Sequence, residues 1–348
     1  MKKLLFILLY IICLNLNSLT LKEIIDVNNG WSLFFINKKD IIITEKKGSI
    51  KLFDIKNQSI KEIKHNLKIS SSGQGALMDI ISYDGIIWVS YAENMPNGST
   101  TSVATGMIKN DRITFKNIFR ASPTIKSNYH YGGRLVLING NIFLTVGDRG
   151  KGMIAQDFKK HPGSIIKIKK DGGFVIDNPK FQKNSGWLPE IFQIGVRNPQ
   201  GLEYSFNDKK IYMTNHGAMG GDWFGVVKKG ENYGWKILGW GGKNYIGTEI
   251  GPKWSSGFTK PIHYWVPSIG ISSLIIYRGK EFKEWNGDAL VTALKDQSLR
   301  RITFNNNQFI KEEVIFKDKI GRIRDIELSP INGKIYLLGE NALWKLSK

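Results

Sequence analysis

A histidine and an aspartate in two glycine-rich motifs are the first candidates for chemistry. His130 lies in segment 128–135 and Asp148 in segment 145–150. A neutral imidazole, with an ordinary pKa of about 6.5, can accept a proton at neutral pH, and a neighbouring carboxylate can orient the ring and stabilise its charged form. The pair therefore predicts a general base, His130, oriented by Asp148. In the alternative interpretation, His130 caps a loop and Asp148 closes a Gly-Asp turn.

The arginines mark a second candidate site. The chain has 10 arginines against 40 lysines, and half of the arginines fall in short motifs. These are Arg134, Arg149, Arg197, Arg322 and Arg324. Arginine presents a planar fork of donors that matches a carboxylate, which lysine cannot imitate. Their concentration predicts one anion-binding region. Because residues two apart in a strand point the same way, Arg322 and Arg324 can reach one anion together.

The overall charge of the 348-residue chain is strongly positive, with a formal net charge of +20. A nucleic acid or an anionic membrane surface would be one reason for such an excess. The positive side chains are mostly lysines, scattered without a basic run of five or more. This distribution favours a solvated basic surface, and we expect no nucleic-acid partner.

A strand pattern that recurs six times must position these motifs. A turn with Gly, Asn or Asp leads into an apolar strand that usually ends in Thr or Ser. The copies occupy residues 40–44, 85–90, 140–145, 209–214, 287–292 and 333–338. The shortest spacings between copies correspond to one four-stranded propeller blade, roughly 40–50 residues. The longer spacings predict insertions.

The repeat predicts the fold class as all-β: a six-bladed β-propeller of four-stranded antiparallel blades, forming one catalytic domain over residues 19–348. No amphipathic helix of 12 or more residues is evident after the N-terminal segment. A β-sandwich is the alternative, but six similar units favour the propeller. We expect the insertions, around 150–190 and 217–260, to be long loops over one face, where functional residues concentrate.

Residues 1–18 are typical of a secretory signal peptide. Two lysines precede an apolar run over 4–16, which is shorter than the roughly 20 residues of a membrane span. Ser18 is small enough to precede a cleavage site, although Leu16 is bulky. An uncleaved anchor and lipidation at Cys13 are the alternatives. We expect the protein to be periplasmic or secreted, and we do not expect it to be an integral membrane protein.

Six sequence blocks carry a resemblance to a known family. They are Gly73-Gln-Gly75, the two motifs of 128–135 and 145–150, Gly195-Val-Arg-Asn-Pro-Gln-Gly-Leu202, the segment 214–222 with 232–235, Trp265-Val-Pro-Ser-Ile269, and 293–296 with 321–325. Together they cover roughly residues 70–340. In content and order they resemble the soluble quinoprotein aldose sugar dehydrogenases, which use pyrroloquinoline quinone (PQQ). The resemblance implies the propeller, PQQ, a calcium ion and sugar oxidation.

The resemblance also assigns site residues. His130 matches the base and Asp148 the residue that orients it. Lys295, Arg322 and Arg324 match residues that hold the carboxylates of the cofactor. Arg197 and Asn198 match donors near the quinone oxygens, where they stabilise charge as hydride arrives, so Arg197 is also a catalytic candidate. Gln74 and Trp265 match positions lining the cavity, and Gly217 and Ala218 match the segment whose backbone carbonyls bind calcium.

Three positions depart from the family pattern. Val196 stands where the family commonly has His, and Asn215 and Trp223 stand where it usually has Glu. Carboxylates in that second loop help to bind a further structural calcium in relatives, and tryptophan cannot ligate a metal. We therefore do not expect a second calcium.

The first functional hypothesis is oxidation of an aldose at C1 to the lactone, with His130 taking the hydroxyl proton, hydride passing to the quinone and electrons leaving to an acceptor. The second hypothesis is a non-enzymatic propeller that binds a glycan or a protein. The third is a propeller hydrolase such as a calcium-dependent lactonase. That chemistry needs carboxylates converging on a central metal, and the sequence offers no such set.

Overall fold

The computed structural model describes residues 19–182 and 186–348, in which almost all regular structure is β-strand. The predicted signal peptide lies outside the described residues, so its cleavage and the exported location remain predictions. Within the described ranges, no helix is long and apolar enough to cross a membrane.

The strands form six sheets, and the four strands of each blade pair antiparallel. After β1 (Thr20–Asp26), the first blade consists of β2 (Gly30–Phe35), β3 (Asp40–Glu45), β4 (Ile50–Asp54) and β5 (Ser59–His65). The second blade consists of β6 (Leu77–Tyr83), β7 (Ile86–Met95), β8 (Gly98–Gly106) and β11 (Lys116–Arg120), with the short strands β9 (Ile108–Lys109) and β10 (Arg112–Ile113) preceding β11. The third blade consists of β12 (Gly132–Ile138), β13 (Asn141–Val146), β14 (Ser164–Lys169) and β15 (Ile191–Ile194).

The remaining blades follow in chain order. The fourth consists of β16 (Pro199–Ser205), β17 (Lys210–Asn215), β18 (Asp222–Val226) and β19 (His263–Trp265). The fifth consists of β20 (Ile271–Ile276), β21 (Ala289–Ala293), β22 (Ser298–Asn305) and β23 (Gln308–Lys317). The sixth consists of β24 (Ile323–Leu328), β25 (Ile335–Gly339) and β26 (Ala342–Ser347), with β1 as its outermost strand.

The blades close into a ring around a central channel. The innermost strand of each blade contacts that of the next, and β24 contacts β2. Hydrogen bonds between distant parts of the chain also close the ring, because β1, which precedes the first blade, pairs with β26 of the sixth. The predicted all-β, six-bladed propeller is therefore confirmed. The first sheet is extended by β10, which pairs in parallel with β5, and by β9.

The six repeats found in the sequence are the second strands of the blades: β3, β7, β13, β17, β21 and β25. These strands are covered on both faces by neighbouring blades, so they form continuous apolar runs instead of alternating patterns. The insertions are more regular than expected. The range 150–190 contains β14, a 3-10 helix (Gly152–Gln156) and the short helix α1 (Pro179–Gln182), and 217–260 contains β18. A second 3-10 helix spans Lys283–Trp285.

The Thr or Ser at the end of each of the first four repeats links its blade to the next. Every innermost strand has a register shift against its second strand near its first residues. In the first blade, the Thr44 hydroxyl accepts the Ser32 backbone N–H (3.1 Å) and donates to the Met78 carbonyl of the second blade (2.6 Å). Ser90 and Thr145 make the corresponding bonds in the next two blades. The hydroxyl thus satisfies backbone groups that the irregularity leaves free.

Arg134 on β12 lies in the channel and joins four blades. Its guanidinium contacts Asp79 of the second blade (3.3 Å) and Asp325 of the sixth (2.8 Å). It also donates to the carbonyls of Gln200 (2.7 Å) and Arg324 (2.9 Å). The first residues of the innermost strands line one cavity and their last residues line another, so Arg134 separates the two ends of the channel.

Candidate active site

A cavity of about 410 Å³ opens at the end of the channel where the innermost strands begin. Seven of the residues predicted from the sequence line it: Gln74, His130, Arg197, Asn198, Lys295, Arg322 and Arg324. They come from five blades or the loops between them. The ring of blades therefore brings together motifs that are up to 250 positions apart in the chain (74 to 324).

The proposed base and its partner are in direct contact. His130 Nδ1 lies 2.6 Å from Asp148 Oδ1. Because a carboxylate can only accept, Nδ1 carries the proton of the neutral ring, and Nε2 keeps the lone pair. The His130 side chain is 12% exposed and borders the cavity, whereas Asp148 is buried behind it. This arrangement can take a proton from a hydroxyl group inside the cavity.

Tight backbone packing fixes the loop that carries His130. The residue has a left-handed backbone, with φ of 49°. Its N–H donates to Gln74 Oε1 (2.8 Å) and its carbonyl accepts from Arg149 N (3.2 Å). A Cβ at Gly147 would lie 2.2 Å from the His130 carbonyl oxygen, so this close approach requires glycine.

The Arg149 side chain holds the same loop in place. Its buried guanidinium lies 3.4 Å from the Tyr131 ring centroid and donates to the carbonyls of Ser127 and Tyr129. Burial lowers the pKa of Arg149 to about 10. The predicted anion-binding role therefore does not fit Arg149, since its donors are used by the loop and the Tyr131 ring covers its charge.

The electrostatics keep His130 neutral at pH 7. Burial lowers the pKa of His130 below its ordinary value, and Arg197 adds to this, although Asp148 opposes both. Burial works to raise the pKa of Asp148, but hydrogen bonds from His130 and Trp235 outweigh it and hold that pKa below the usual range. A neutral imidazole beside an ionised carboxylate is the state that a general base needs.

Trp235 also forms a hydrogen bond with Asp148, and the sequence analysis did not predict this contact. Its indole N–H donates to Asp148 Oδ2 at 2.6 Å, so both carboxylate oxygens have partners. The Arg197 guanidinium lies 5.4 Å from the Trp235 ring centroid. The insertion 217–260 thus supports the base by contacting Asp148, and Trp235 was recognisable only as a member of a matching block.

Arg324 is a half-buried cation at the cavity wall and has no carboxylate partner in the described residues. Within residues 19–182 and 186–348, no carboxylate oxygen lies within 4.0 Å of its guanidinium nitrogens, and its one side-chain partner is Gln200 Oε1 at 3.3 Å. Burial lowers its pKa to about 10, with Arg134 and Arg322 adding to the effect. A buried charge is costly unless an opposite charge is near, so this position fits an anionic ligand.

Two further cations border the same region. Lys295 follows β21 and is exposed to the cavity. Arg322 precedes β24 and is half-exposed, with Glu340 Oε1 2.9 Å from its Nε. A register shift follows Ile323, yet Arg322 and Arg324 still line one cavity. Because Arg322 lies outside β24, strand alternation alone does not explain their position, and binding of one anion by both residues remains a prediction.

Arg197 and Asn198 line the same cavity as the base and these cations. Both backbone N–H groups donate to Asn215 Oδ1 at 3.0 Å. Asn198 Oδ1 accepts from Gly132 N and Gln200 Nε2, and these bonds leave its amide NH₂ group as a donor. Asn215, one of the three departures from the family pattern, thus acquires a structural role.

The residues that the resemblance assigned to the cavity wall or to calcium include three that do not line the cavity. Trp265 is buried on β19, and its indole donates to Glu312 Oε1 (2.9 Å) on the outermost strand of the next blade. The expectation that it borders the cavity is therefore wrong, because β19 is itself an outer strand of its blade. Gly217 and Ala218 follow His216, which does line the cavity, but they lie just beyond its wall.

Other lining residues were missed by the sequence analysis. Trp31 provides the aromatic wall, with the Arg134 and Arg324 guanidinium carbons 4.5 and 5.9 Å from its ring centroid. His216 is the second imidazole; burial lowers its pKa to about 4, with Arg197 and Arg324 adding to the effect and Asp222 opposing it. Its place in a matching block, directly before Gly217, was the available signal. Lys46 also lines the cavity, but it was one of many lysines and its residue type gave no signal.

The loop expected to lack a second calcium contains an aromatic pair. Trp223 stacks on Tyr233, with ring centroids 4.1 Å apart, and both are buried. The oxygens of Asp222 accept from Gly217 N (2.8 Å) and Ile271 N (2.9 Å). No group of three or more potential metal-ligating side chains occurs in the described part of the chain. The expectation of no second calcium remains a prediction.

Comparison with known proteins agrees with the geometry of the site. A family model described as Glucose / Sorbosone dehydrogenase matches residues 27–348. The aldose sugar dehydrogenase YliI of Escherichia coli (strain K12) is 30% identical over 336 residues, covering 92% of this chain and 90% of that protein. The apo-form crystal structure of the soluble aldose sugar dehydrogenase from Escherichia coli has a TM-score of 0.89 at 28% identity, covering 95% of this chain and 99% of the other.

A more distant relative was solved with a ligand. The PQQ-bound form of aldose sugar dehydrogenase from Streptomyces coelicolor has a TM-score of 0.77 at 19% identity, covering 95% of this chain and 98% of the other, and shows the shared fold. The resemblance inferred from the six sequence blocks is confirmed by the family match. The chain belongs to the glucose/sorbosone dehydrogenase family.

Proposed function

We propose that this protein oxidises an aldose sugar at C1 to the lactone, with PQQ bound in the cavity. The observation that carries the proposal is the combination of a neutral, carboxylate-oriented His130 with a group of cations in one cavity. When bound, PQQ would supply an acceptor for the hydride that leaves C1. A soluble or membrane-bound electron acceptor, whose identity stays open, would then take up the electrons.

The residues fit the cofactor by charge. PQQ carries three carboxylates, and Lys295, Arg322 and Arg324 are three cations at one part of the cavity wall. Arg324 lacks a carboxylate partner within the described residues, so a carboxylate there would offset the cost of its burial. Trp31, with its buried ring at the cavity wall, offers an apolar surface for a flat ring system.

Calcium fits less directly. We propose that the carbonyls of Gly217 and Ala218 bind it, as the family resemblance implies. The turn is tightly built, since Gly217 N donates to Asp222 Oδ1 and Ala218 N to the Gly220 carbonyl (3.1 Å). His216, held neutral by its lowered pKa, lies between this turn and the cavity, and a neutral ring is compatible with a nearby cation.

The chain's own groups account for the proton and the orientation of the sugar. His130 Nε2 takes the proton of the C1 hydroxyl, and Asp148 stabilises the resulting imidazolium through Nδ1. Hydride leaves C1 as the carbonyl of the lactone forms. Arg197 and the Asn198 amide supply donors where negative charge develops. The loss of one proton and one hydride balances the two-electron oxidation of the hemiacetal.

The proposal is tested by reconstituting the purified protein with calcium and PQQ, measuring cofactor binding by calorimetry and dye reduction with a panel of aldoses. We expect binding and turnover. His130→Ala should lower turnover by at least about a hundredfold and retain cofactor binding, because only the base is removed. Absence of cofactor binding at micromolar concentration would contradict the proposal and favour a propeller that binds a glycan or a protein.

Arg324→Met should weaken PQQ binding by about tenfold or more, because a charge-assisted hydrogen bond is lost. The same substitution should leave the stability of the cofactor-free protein unchanged or raised, since a half-buried cation without a carboxylate partner is removed. Calorimetry and urea denaturation measure the two effects.

Arg112→Met, at an exposed arginine on β10, is the matched control and should change neither quantity. Equal PQQ affinity of Arg324→Met and the wild-type protein would show that Arg324 does not hold the cofactor.

Trp235→Phe should alter the pH dependence of turnover. Since the pKa of His130 is lowered in the fold, wild-type turnover is full at neutral pH and falls only as the pH drops below about 6.5. Without the indole donor, Asp148 attracts the imidazolium more strongly, so the acidic limb should move to higher pH. Measuring kcat from pH 4.5 to 8 detects the shift.

Trp254→Phe serves as the control, because Trp254 also donates an indole hydrogen bond (3.1 Å, to the Phe258 carbonyl) but does not donate to Asp148, as Trp235 does. A Trp235→Phe variant with a lower kcat and an unshifted acidic limb would show that Trp235 acts only in packing.

A further inference from the structure

We infer that the sugar substrate carries an anionic group remote from C1, as a uronic acid does, and that Lys46 recognises this group. The inference rests on the proposed function and names the substrate class of the same site.

Lys46 lies on the wall of the cavity that carries His130. It directly follows β3, lines the cavity, and its ammonium donates to the Gly73 carbonyl at 2.7 Å. The next residue, Gln74, accepts from His130 N at 2.8 Å. Lys46, Gln74 and His130 line the same cavity, so the inference places the ammonium beside the sugar whose C1 hydroxyl reaches His130.

The Lys46 ammonium has N–H donors available for a ligand. An ammonium has three N–H donors, and the Gly73 carbonyl uses one. Within residues 19–182 and 186–348, no carboxylate oxygen lies within 4.0 Å of Lys46 Nζ. The neighbouring carboxylate, Glu45, is taken by Lys51 at 2.5 Å and by Asn28 N at 2.7 Å.

The charge of the cavity exceeds what the cofactor needs. Five cationic side chains line it: Lys46, Arg197, Lys295, Arg322 and Arg324. The one carboxylate among the lining residues, Glu340, pairs with Arg322. Lys295, Arg322 and Arg324 are the cations proposed to hold the cofactor, and Arg197 is close enough to the ionised Asp148 to help lower the pKa of that carboxyl. Lys46 is then the lining cation that the proposed cofactor does not use. Lys46 is the cation that the contacts place beside Gln74 and the base.

A carboxylate or phosphate on the substrate matches this excess. A uronic acid keeps the C1 hydroxyl that His130 needs and carries its carboxylate on C6, across the ring. A charge-assisted hydrogen bond to Lys46 would favour it over the neutral aldose, whose C6 hydroxyl makes a weaker bond. A sugar 6-phosphate presents the same chemistry in a larger group.

The test uses two glycosides whose C1 position is blocked, so that binding is measured without oxidation. Methyl β-D-glucuronide and methyl β-D-glucoside differ only in a carboxylate against a CH₂OH group at C6. We expect calorimetry on the PQQ-loaded protein at low ionic strength to show at least tenfold tighter binding of the glucuronide. Lys46→Met should abolish this preference. Lys47→Met, at the exposed neighbouring lysine, should retain it.

Equal affinity for the two glycosides, or a preference that survives in Lys46→Met, would overturn the inference. A Lys46→Met variant that loses affinity for PQQ instead would also overturn it, because Lys46 would then hold the cofactor. Kinetics with glucose, glucuronic acid and glucose 6-phosphate separate the two anionic groups: lower KM for the acid or for the phosphate identifies the source.

The outcome is distinguishable from failure of the proposed function. Cofactor binding is measured first, and a protein that binds PQQ and oxidises glucose but shows no anion preference retains the proposed function without this substrate class. If PQQ does not bind, the glycoside pair is titrated on the cofactor-free protein, and loss of the preference in Lys46→Met still decides the role of Lys46.

Discussion

The structure depends on how positive charge is buried at the centre of a ring of β-sheets. Two arginines lie in the channel, and they are treated differently. Arg134 has Asp79 and Asp325 within 3.3 Å and backbone carbonyls for its remaining donors. Arg324 has one amide oxygen and no carboxylate within 4.0 Å in the described ranges. The first arginine is satisfied by the protein and joins blades, whereas we propose that the second is satisfied when an anion enters the cavity.

The ring of blades makes this arrangement possible. Inner strands that begin with a register shift expose backbone groups and side chains at one end of the channel, and hydroxyls such as that of Thr44 link each of the first four blades to the next. The base is held by contacts from outside its own loop: Gln74 binds its backbone, Arg149 donates to carbonyls of that loop, and Trp235 binds its partner Asp148. A base fixed on this scaffold beside a cation-lined cavity is suited to directing one hydroxyl group of a bound sugar.

Much of this was predictable from the sequence, because it depends on local patterns. The six second strands are buried on both faces, so their apolar runs and terminal hydroxyls recur visibly along the chain. His130 and Asp148 stand in conspicuous glycine-rich motifs because the His130 carbonyl leaves no room for a Cβ at Gly147. Arg322 and Arg324 stood out because arginine is rare in this lysine-rich chain.

Other features depended on contacts between distant segments and could not be predicted. Trp265 belongs to a matching block, yet β19 lies at the outside of its blade and faces Glu312. Lys46 reaches the cavity only because β3 ends beside Gly73 of the next blade, and its residue type gave no signal among 40 lysines. The insertion 150–190 contributes β14 to a blade, which its polar, glycine-rich composition concealed.

The central claim is that a cavity with uncompensated cations, bordered by an oriented base, is the binding site for a tricarboxylated quinone. A crystal structure of the protein grown with calcium and PQQ tests it most directly. The account predicts cofactor carboxylates within hydrogen-bond distance of Lys295, Arg322 and Arg324, with the quinone oxygens beside Arg197 and Asn198 and open space at His130 Nε2. Cofactor bound elsewhere on the propeller, or a cavity without cofactor at saturating concentration, would contradict it.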